Sequence, residues 1–495
     1  MAHTRLRNLL LTICFLLVAC QGRGGDAIRF GLASAPTTLD PRFATDASSE
    51  RIDRLLYARL VDYDAQSEPV PSLASWQVLS PTHYRFRLGG AGRVFHDGER
   101  LDAGDVAATY RSILDPATAS PHRGTLSMIE RIEVIDDDTL DFFLNRADRL
   151  FPGYLSIGIL PARAIAQRHP FNRQPLGSGP FRLLNWEDAD RLSLQRLLDG
   201  QSFVFEQVKD PTMRVLKLLR GEIDLLQNDL PPELLPYLER RKGIHVQRAP
   251  GSTFAYLGFQ LQDPDSGRYA VRRAVALAID RQAIIEHVFH GAARPASALL
   301  PPEHWAGDKA LPVLTADPAQ AQVLLAQAGY GPEHPLRLVY KTSSDPFRVR
   351  IATILQQQLA RVGIAVDVRS YDWGTFYGDI KAGRFQMYSL AWVGIRSPDI
   401  FRYAFHSKAL PPAGANRGRL DDAGVDRLIE QAQQAQTRAA QAADYRALQR
   451  RLLQLLPYVP LWYEDQYAAS SERIRGYALA ADGAYDALVD TVIVH

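Results

Sequence analysis

The chain has 495 residues, 46% of them hydrophobic and 23% charged, a balance that suits soluble globular domains and excludes disordered and collagen-like classes. Its formal charge is +2, and Arg5 and Arg7 near the N-terminus account for the excess, so nothing in the charge attracts nucleic acid. A chain this long exceeds one ordinary core and calls for about three domains.

Arg5 and Arg7 precede an apolar run, Leu9 to Ala19, that ends in Leu17-Val18-Ala19-Cys20. This is the pattern of a secretion signal over residues 1–20, and the run is shorter than the roughly twenty residues a membrane-spanning helix needs. Small residues before Cys20 resemble the lipobox of bacterial lipoproteins, which implies a lipid on Cys20 and a location in the cell envelope, periplasmic or extracytoplasmic. A conventional signal peptide is the alternative. The other cysteine, Cys14, falls inside the segment to be removed, so the mature chain has no disulfide and depends on packed cores. Residues 21–27 read as a tether.

Ile28 to Leu32 alternates as a strand, and Thr38-Leu39-Asp40-Pro41 turns into a helix predicted over Ser48 to Leu60, with Ile52, Leu55, Leu56 and Leu60 on one face. From Trp76 to Leu144 short strands such as Tyr84 to Leu88 and Ile132 to Ile135 are separated by Asp-Gly and Asp-rich turns. One helix stands among them: Asp102 caps it, Asp105 sits three residues on, Val106, Tyr110 and Ile113 share a face, and Asp115-Pro116 stops it. Gly177-Ser178-Gly179-Pro180-Phe181 marks a tight crossing between domains. Strands and helices then alternate to Leu261, including a helix from Met213 to Arg220 closed by Gly221.

A single helix is predicted from Tyr269 to Val288, and Asp317-Pro318 opens another that Gly329 ends. Leu336 to Tyr340, a helix started by Asp345-Pro346 and closed by Gly363, and Ile364 to Val368 form a βαβ unit, which requires a parallel pair. Phe385 to Asp399 reads as an apolar strand broken at Gly394 into a polar turn carrying Arg396 and Asp399; its plain reading is a core strand and a surface turn, its functional reading a pocket floor. Two polar-faced helices cover Asp421 to Leu456, Pro460-Leu461-Trp462-Tyr463 starts a return strand, and the tail is expected to alternate as strands that rejoin the first domain.

Catalytic and metal constellations are scarce. There is no Gly-Lys dipeptide for a P-loop, and Ser178 between glycines lacks the Gly-x-Ser-x-Gly spacing of a nucleophile elbow. His287 and His290 are close enough to share a metal but have no second pair nearby, so they read as surface residues. No catalytic residue, resident metal or cofactor is expected.

Several stretches together resemble the bacterial extracellular solute-binding proteins of family 5, the oligopeptide, dipeptide and nickel receptors of ABC importers. They are Thr38-Leu39-Asp40-Pro41, Leu55-Leu56-Tyr57, Pro71 to Trp76, Phe95-His96-Asp97-Gly98, Asp105-Val106, Gly177 to Phe181, Gly221-Glu222-Ile223-Asp224, Val271-Arg272-Arg273-Ala274 with Ala278 to Arg281, and Pro460-Leu461. The resemblance implies an α/β fold of the periplasmic-binding-protein type (class II, cluster C), with two hinged lobes and an extra inserted α+β domain. Lobe I would take residues 28–57, 178–262 and 464–495, the inserted domain 58–177, and lobe II 263–463. It also implies a monomeric receptor that closes on a peptide or peptide-like solute and docks on a permease. A sensor or envelope scaffold without transport, a receptor for a nickel or other metal chelate and, last, a secreted hydrolase are the alternatives.

Carried over residue by residue, the resemblance makes Ala391, Trp392 and Val393 the strand whose backbone pairs with an extended ligand. Trp392, Trp373 and Tyr256 would line the pocket, with core packing the alternative for Tyr256, and Thr45 and Asp46 would lie near the matching strand of the first lobe. The chain departs from the pattern at three places. Ile395 stands where peptide receptors of the family put the aspartate that holds the ligand's ammonium group, and Phe347 and Ser389 stand where basic groups would hold its carboxylate. Arg396 and Asp399 are the candidates to substitute.

Overall fold

In the computed structural model, residues 27–188, 190–412 and 414–494 are described. The secretion signal, Cys20 and all of the tether except Ala27 lie outside them.

One mixed sheet of 11 strands runs through both lobes. Its order is Ile364–Tyr371, Leu336–Ser343, Met387–Trp392, Ile244–Phe259, Tyr458–Ser471, Leu225–Gln227, Ala27–Leu32, Ser202–Gln207, Arg191–Arg196 and Phe181–Asp188, with Ala293–Pro295 added to Tyr458–Ser471. The expected βαβ unit is present, since Leu336–Ser343 pairs parallel with Ile364–Tyr371 across the helix Pro346–Ala360. Two long antiparallel strands of 16 and 14 residues, Ile244–Phe259 and Tyr458–Ser471, join the halves of the fold. Their register shifts between Ala249 and Thr253, where a Cβ on Gly251 would sit 2.2 Å from the Glu464 carbonyl oxygen, so only glycine admits this approach.

Separate apolar cores flank the crossing. Ile28, Phe30, Leu55, Phe203 and Tyr485 close one half, while Leu257, Val275, Tyr340, Leu355 and Trp462 close the other. The inserted domain is a four-stranded antiparallel sheet in the order Ala74–Ser80, His83–Leu88, Thr139–Leu144, Ile129–Asp136. Its helix Ala103–Leu114 packs Val106, Tyr110 and Ile113 onto Phe86 and Phe142. Asp102 and Asp105 form the expected capping box. Asp102→Ala should therefore lower stability by about 1 kcal/mol, read as a lower urea midpoint; an unchanged midpoint would contradict the role of the cap.

Three expectations are corrected. The first helix ends at Leu56, because Tyr57 turns extended and donates its hydroxyl to the Leu39 carbonyl at 2.8 Å; Leu60 lies beyond the helix, in the core of the inserted domain. The helix expected from Tyr269 to Val288 is two helices, Tyr269–Ala278 and Arg281–His287. Asp280 caps the second by accepting from the Ala283 amide, a side-chain bond that competes with an unbroken helix. The tail is mostly loop: among its described residues only the two-residue strands Ile474–Arg475 and Val492–Ile493 pair, although Tyr477, Tyr485 and Leu488 do pack on the first core.

Candidate functional site

The strand Met387–Trp392 owes its place to alternation, with Met387 directed into the core against Ile364 and Tyr340, and it is paired along its length with Phe254 to Phe259. On its other side Leu336–Ser343 pairs only with Met387 and Tyr388. Among the described residues no strand pairs with that edge from Ser389 to Trp392, so its backbone groups are available to an extended chain. Gly394 then turns the chain at φ +68°, and exposed Val393 continues the open edge.

An aromatic wall stands beside the open edge. Trp373 begins the helix Trp373–Ala382, capped by Asp372, and its ring lies parallel to Tyr377 at 5.3 Å with 59% of its surface exposed. The Arg417 guanidinium lies 5.3 Å from the Tyr377 ring and 4.8 Å from the Trp392 ring, and Tyr403 meets Trp392 edge-on at 6.3 Å. Trp392 and Trp373 are thus brought together through Arg417 and Tyr377.

Other sequence candidates have different settings. Tyr256 is wholly buried and stacked on Tyr458 at 3.9 Å, and it reaches the wall only by accepting from Arg417 Nη1 at 3.0 Å. Phe347 packs edge-on against Phe289 at 5.4 Å, whereas its neighbour Arg348 is the charged group there, 2.8 Å from Glu464. Ser389 is half-buried opposite Leu257. Ile395 packs with Leu390 and Trp392 on the core and brings no charge. Thr45 is exposed, and Asp46 caps the helix Ala47–Leu56. Burial opposes ionisation of Asp46, but bonds from Ser49 and Thr37 outweigh it and hold its carboxyl below the usual range.

Arg396 bridges the two halves. Its Nη2 lies 2.7 Å from Asp482 of the tail, and its guanidinium lies 5.9 Å from the Tyr63 ring of the inserted domain. His304 fixes its backbone: Nδ1 accepts from the Ala306 amide, so Nε2 carries the proton and donates to the Arg396 carbonyl at 3.0 Å. Burial pushes the His304 imidazole down to about 4, which keeps that neutral tautomer. Further bonds cross the same interface, from Trp305 N to Gln66 O at 3.2 Å and from Arg149 Nη1 to Gln436 O at 2.6 Å. Contacts thus join Tyr63, Gln66 and Arg149 of the inserted domain, and Asp482 of the tail, to Arg396, Trp305 and Gln436.

Asp399 is half-buried near Tyr63, Tyr154, Tyr445 and the like-charged Asp148. Burial pushes its carboxyl from 3.8 up to about 6, against a bond from Ser397, and Asp148 adds to the rise. A carboxyl raised on folding ionises first in the unfolded chain, so this group removes stability as pH rises through the interval between those values. Asp399→Asn should flatten that part of the pH profile and gain on the order of 1 kcal/mol near pH 7. Thermal melts across the interval check it, and an unchanged slope would contradict it.

The roomier of the two cavities described, about 410 Å³, lies elsewhere, between Arg54, Tyr57, Arg59, Ser178 and Asp486. Ser178 Oγ is buried there without a hydrogen-bond partner, so no base is paired with it. Among the described residues no cluster of three metal-ligating side chains occurs.

Sequence reasoning missed Arg417, Tyr377, Asp482, Tyr63 and His304. Tyr377 carried a usable signal, four residues after Trp373 and so on the same helix face. The others meet the wall only through the fold.

The open strand edge beside the aromatic wall is the candidate binding site, set in a fold of the two-lobed periplasmic-binding-protein type. The profile of the bacterial extracellular solute-binding proteins, family 5 (middle region), matches residues 68–409, and the chain belongs to that family. Di/tripeptide-binding protein 2 of Pseudomonas aeruginosa is 27% identical, covering 94% of this chain and 98% of that protein. Among solved structures, NikZ from Campylobacter jejuni in complex with Ni(L-His) matches with a TM-score of 0.80 at 22% identity, over 94% of this chain and 99% of that one. The periplasmic binding protein DppA from Helicobacter pylori in complex with the peptide STSA matches with a TM-score of 0.79 at 24% identity, over 94% and 98%. These likenesses establish the fold.

Proposed function

We propose that this chain is the receptor of an ABC importer for peptides or peptide-like solutes, which it encloses between lobes I and II in the boundaries given above. The observation that carries the reading is the unpaired edge from Ser389 to Trp392 beside the Trp373–Tyr377–Arg417–Trp392 wall. Membership of a solute-binding family and the di/tripeptide-binding relative support it. The same reading makes it a monomeric binding protein with no turnover of its own, held near its permease by a lipid on Cys20 and delivering solute in the closed form. No helix among the described residues is long and apolar enough to cross a membrane.

The ammonium group has no anchor at Ile395, and Arg396 is engaged by Asp482. Free and N-acetylated forms of one peptide are therefore expected to bind within about threefold of each other, since an amine that meets no buried carboxylate gains little. Calorimetric titration measures this; a large loss on acetylation would contradict it. Failure of every di- and tripeptide to bind or to raise the melting temperature would overturn the peptide reading. A metal–amino-acid chelate is the second reading, favoured by the fold shared with the Ni(L-His) receptor, and titration with nickel and histidine separates the two.

A further inference from the structure

We propose that Arg417 and the Trp392 indole form an anion subsite that takes a carboxylate of the bound solute; the assignment rests on the peptide reading above. Its starting point is an imbalance in how the buried arginines are satisfied. Arg417 is 7% exposed, its Nη1 donates to the Tyr256 hydroxyl at 3.0 Å, its Nη2 donates to the Tyr377 hydroxyl at 3.1 Å, and its Nε has no partner.

Every other buried arginine described holds a carboxylate or a backbone carbonyl. Arg59 and Arg93 reach Asp62 and Asp138; Arg196 reaches Asp199 and the carbonyls of Leu488, Val489 and Thr491. Arg214 donates to the Val208 carbonyl, Arg272 to Leu455 and Leu456, and Arg281 to Ala276, Ile279, Leu314 and Pro460. Arg417 alone is left with two phenol hydroxyls. A buried guanidinium without an anion is costly, because a cation taken out of water needs a partner of opposite charge or strong acceptors.

Its surroundings point to what supplies that partner. The Trp392 ring lies 4.8 Å from the guanidinium, and Trp392 Nε1 is a second buried donor without a partner. Two unmet N–H groups on adjoining side chains, one of them charged, suit the two oxygens of a carboxylate. Trp392 also ends the unpaired strand edge, so an extended solute laid along Ser389 to Trp392 passes this pair. The neighbouring arginines are already committed, Arg396 to Asp482 and Arg348 to Glu464. Arg417 can thus do what Phe347 and Ser389 do not.

Calorimetric titration of trialanine and trialanine amide into the wild-type protein and the Arg417→Gln, Arg417→Lys and Trp392→Phe variants tests the assignment. Wild-type protein should prefer the free acid by about 30-fold, the scale of one charge-assisted contact in a buried site. Arg417→Gln should lower acid affinity far more than amide affinity, so that the preference disappears, Arg417→Lys should keep part of it, and Trp392→Phe should reduce it with the melting temperature held. Equal loss of acid and amide binding in Arg417→Gln would assign the arginine to structure only and overturn the proposal. So would equal affinities of wild-type protein for acid and amide, with peptide binding itself intact. If neither form binds the wild-type protein, the peptide reading fails and takes the subsite with it.

Discussion

Trp392→Ala is expected to weaken solute binding by about 100-fold, the largest loss of any single change in the wall. Its ring is held on one side by the Arg417 guanidinium at 4.8 Å and edge-on by Tyr403 at 6.3 Å, so it meets a ligand already ordered. An aromatic ring buries a large area at little entropic cost, and here it closes the unpaired end of the strand. Its own contribution to the fold is smaller, since it packs at the margin of the core with Leu390 and Ile395. Melting temperature should fall slightly while affinity collapses. Calorimetry decides: an affinity within about threefold of wild type would remove Trp392 from the site.

The second large effect concerns Gly177, where the chain returns from the inserted domain beside the last turn of the helix Ala47–Leu56. A Cβ on Gly177 would sit 2.0 Å from the Leu56 carbonyl oxygen, and one on Gly179 would sit 2.4 Å from that of Leu55. The obstruction is backbone, which cannot swing aside, and the Gly179 amide is bonded to the Leu56 carbonyl at 2.9 Å. Gly177→Ala must therefore part the two crossing segments and should cost about 3 kcal/mol or more. The adjacent Ser178→Ala removes an oxygen with no partner and should be neutral within about 0.5 kcal/mol. Urea denaturation of both variants separates them. Equal midpoints would contradict the close crossing.

Local chemistry made much of the fold legible. Asp102, Asp317 and Asp345 each cap the helix expected of them, and Pro318 and Pro346 follow as first-turn residues. Gly363 lies at positive φ beyond the Pro346–Ala360 helix, and the parallel pair on either side of it follows from the connection. The break at Asp280 was hidden because no glycine or proline marks it, and the early stop at Leu56 because it is set by the distant bond of Tyr57 to Leu39, beside the crossing with Gly177 and Gly179, and not by helix propensity.

The site was legible where it is a strand and obscure where it is a meeting of loops. The open edge and Trp392 follow from one continuous stretch. Arg417, in a loop before the Ala423–Gln434 helix, has no periodic pattern to place it under that ring, and Asp482 reaches Arg396 only because the tail packs on the other half. The departure at Ile395 was visible in sequence, but the cation that can receive a carboxylate was not.

The most direct measurement is mass spectrometry of the small molecules released on denaturing protein purified from its native host. The account predicts a stoichiometric peptide or peptide-like compound bearing a free carboxylate. Stoichiometric release of a sugar, or of a metal–amino-acid complex with no peptide, would contradict it.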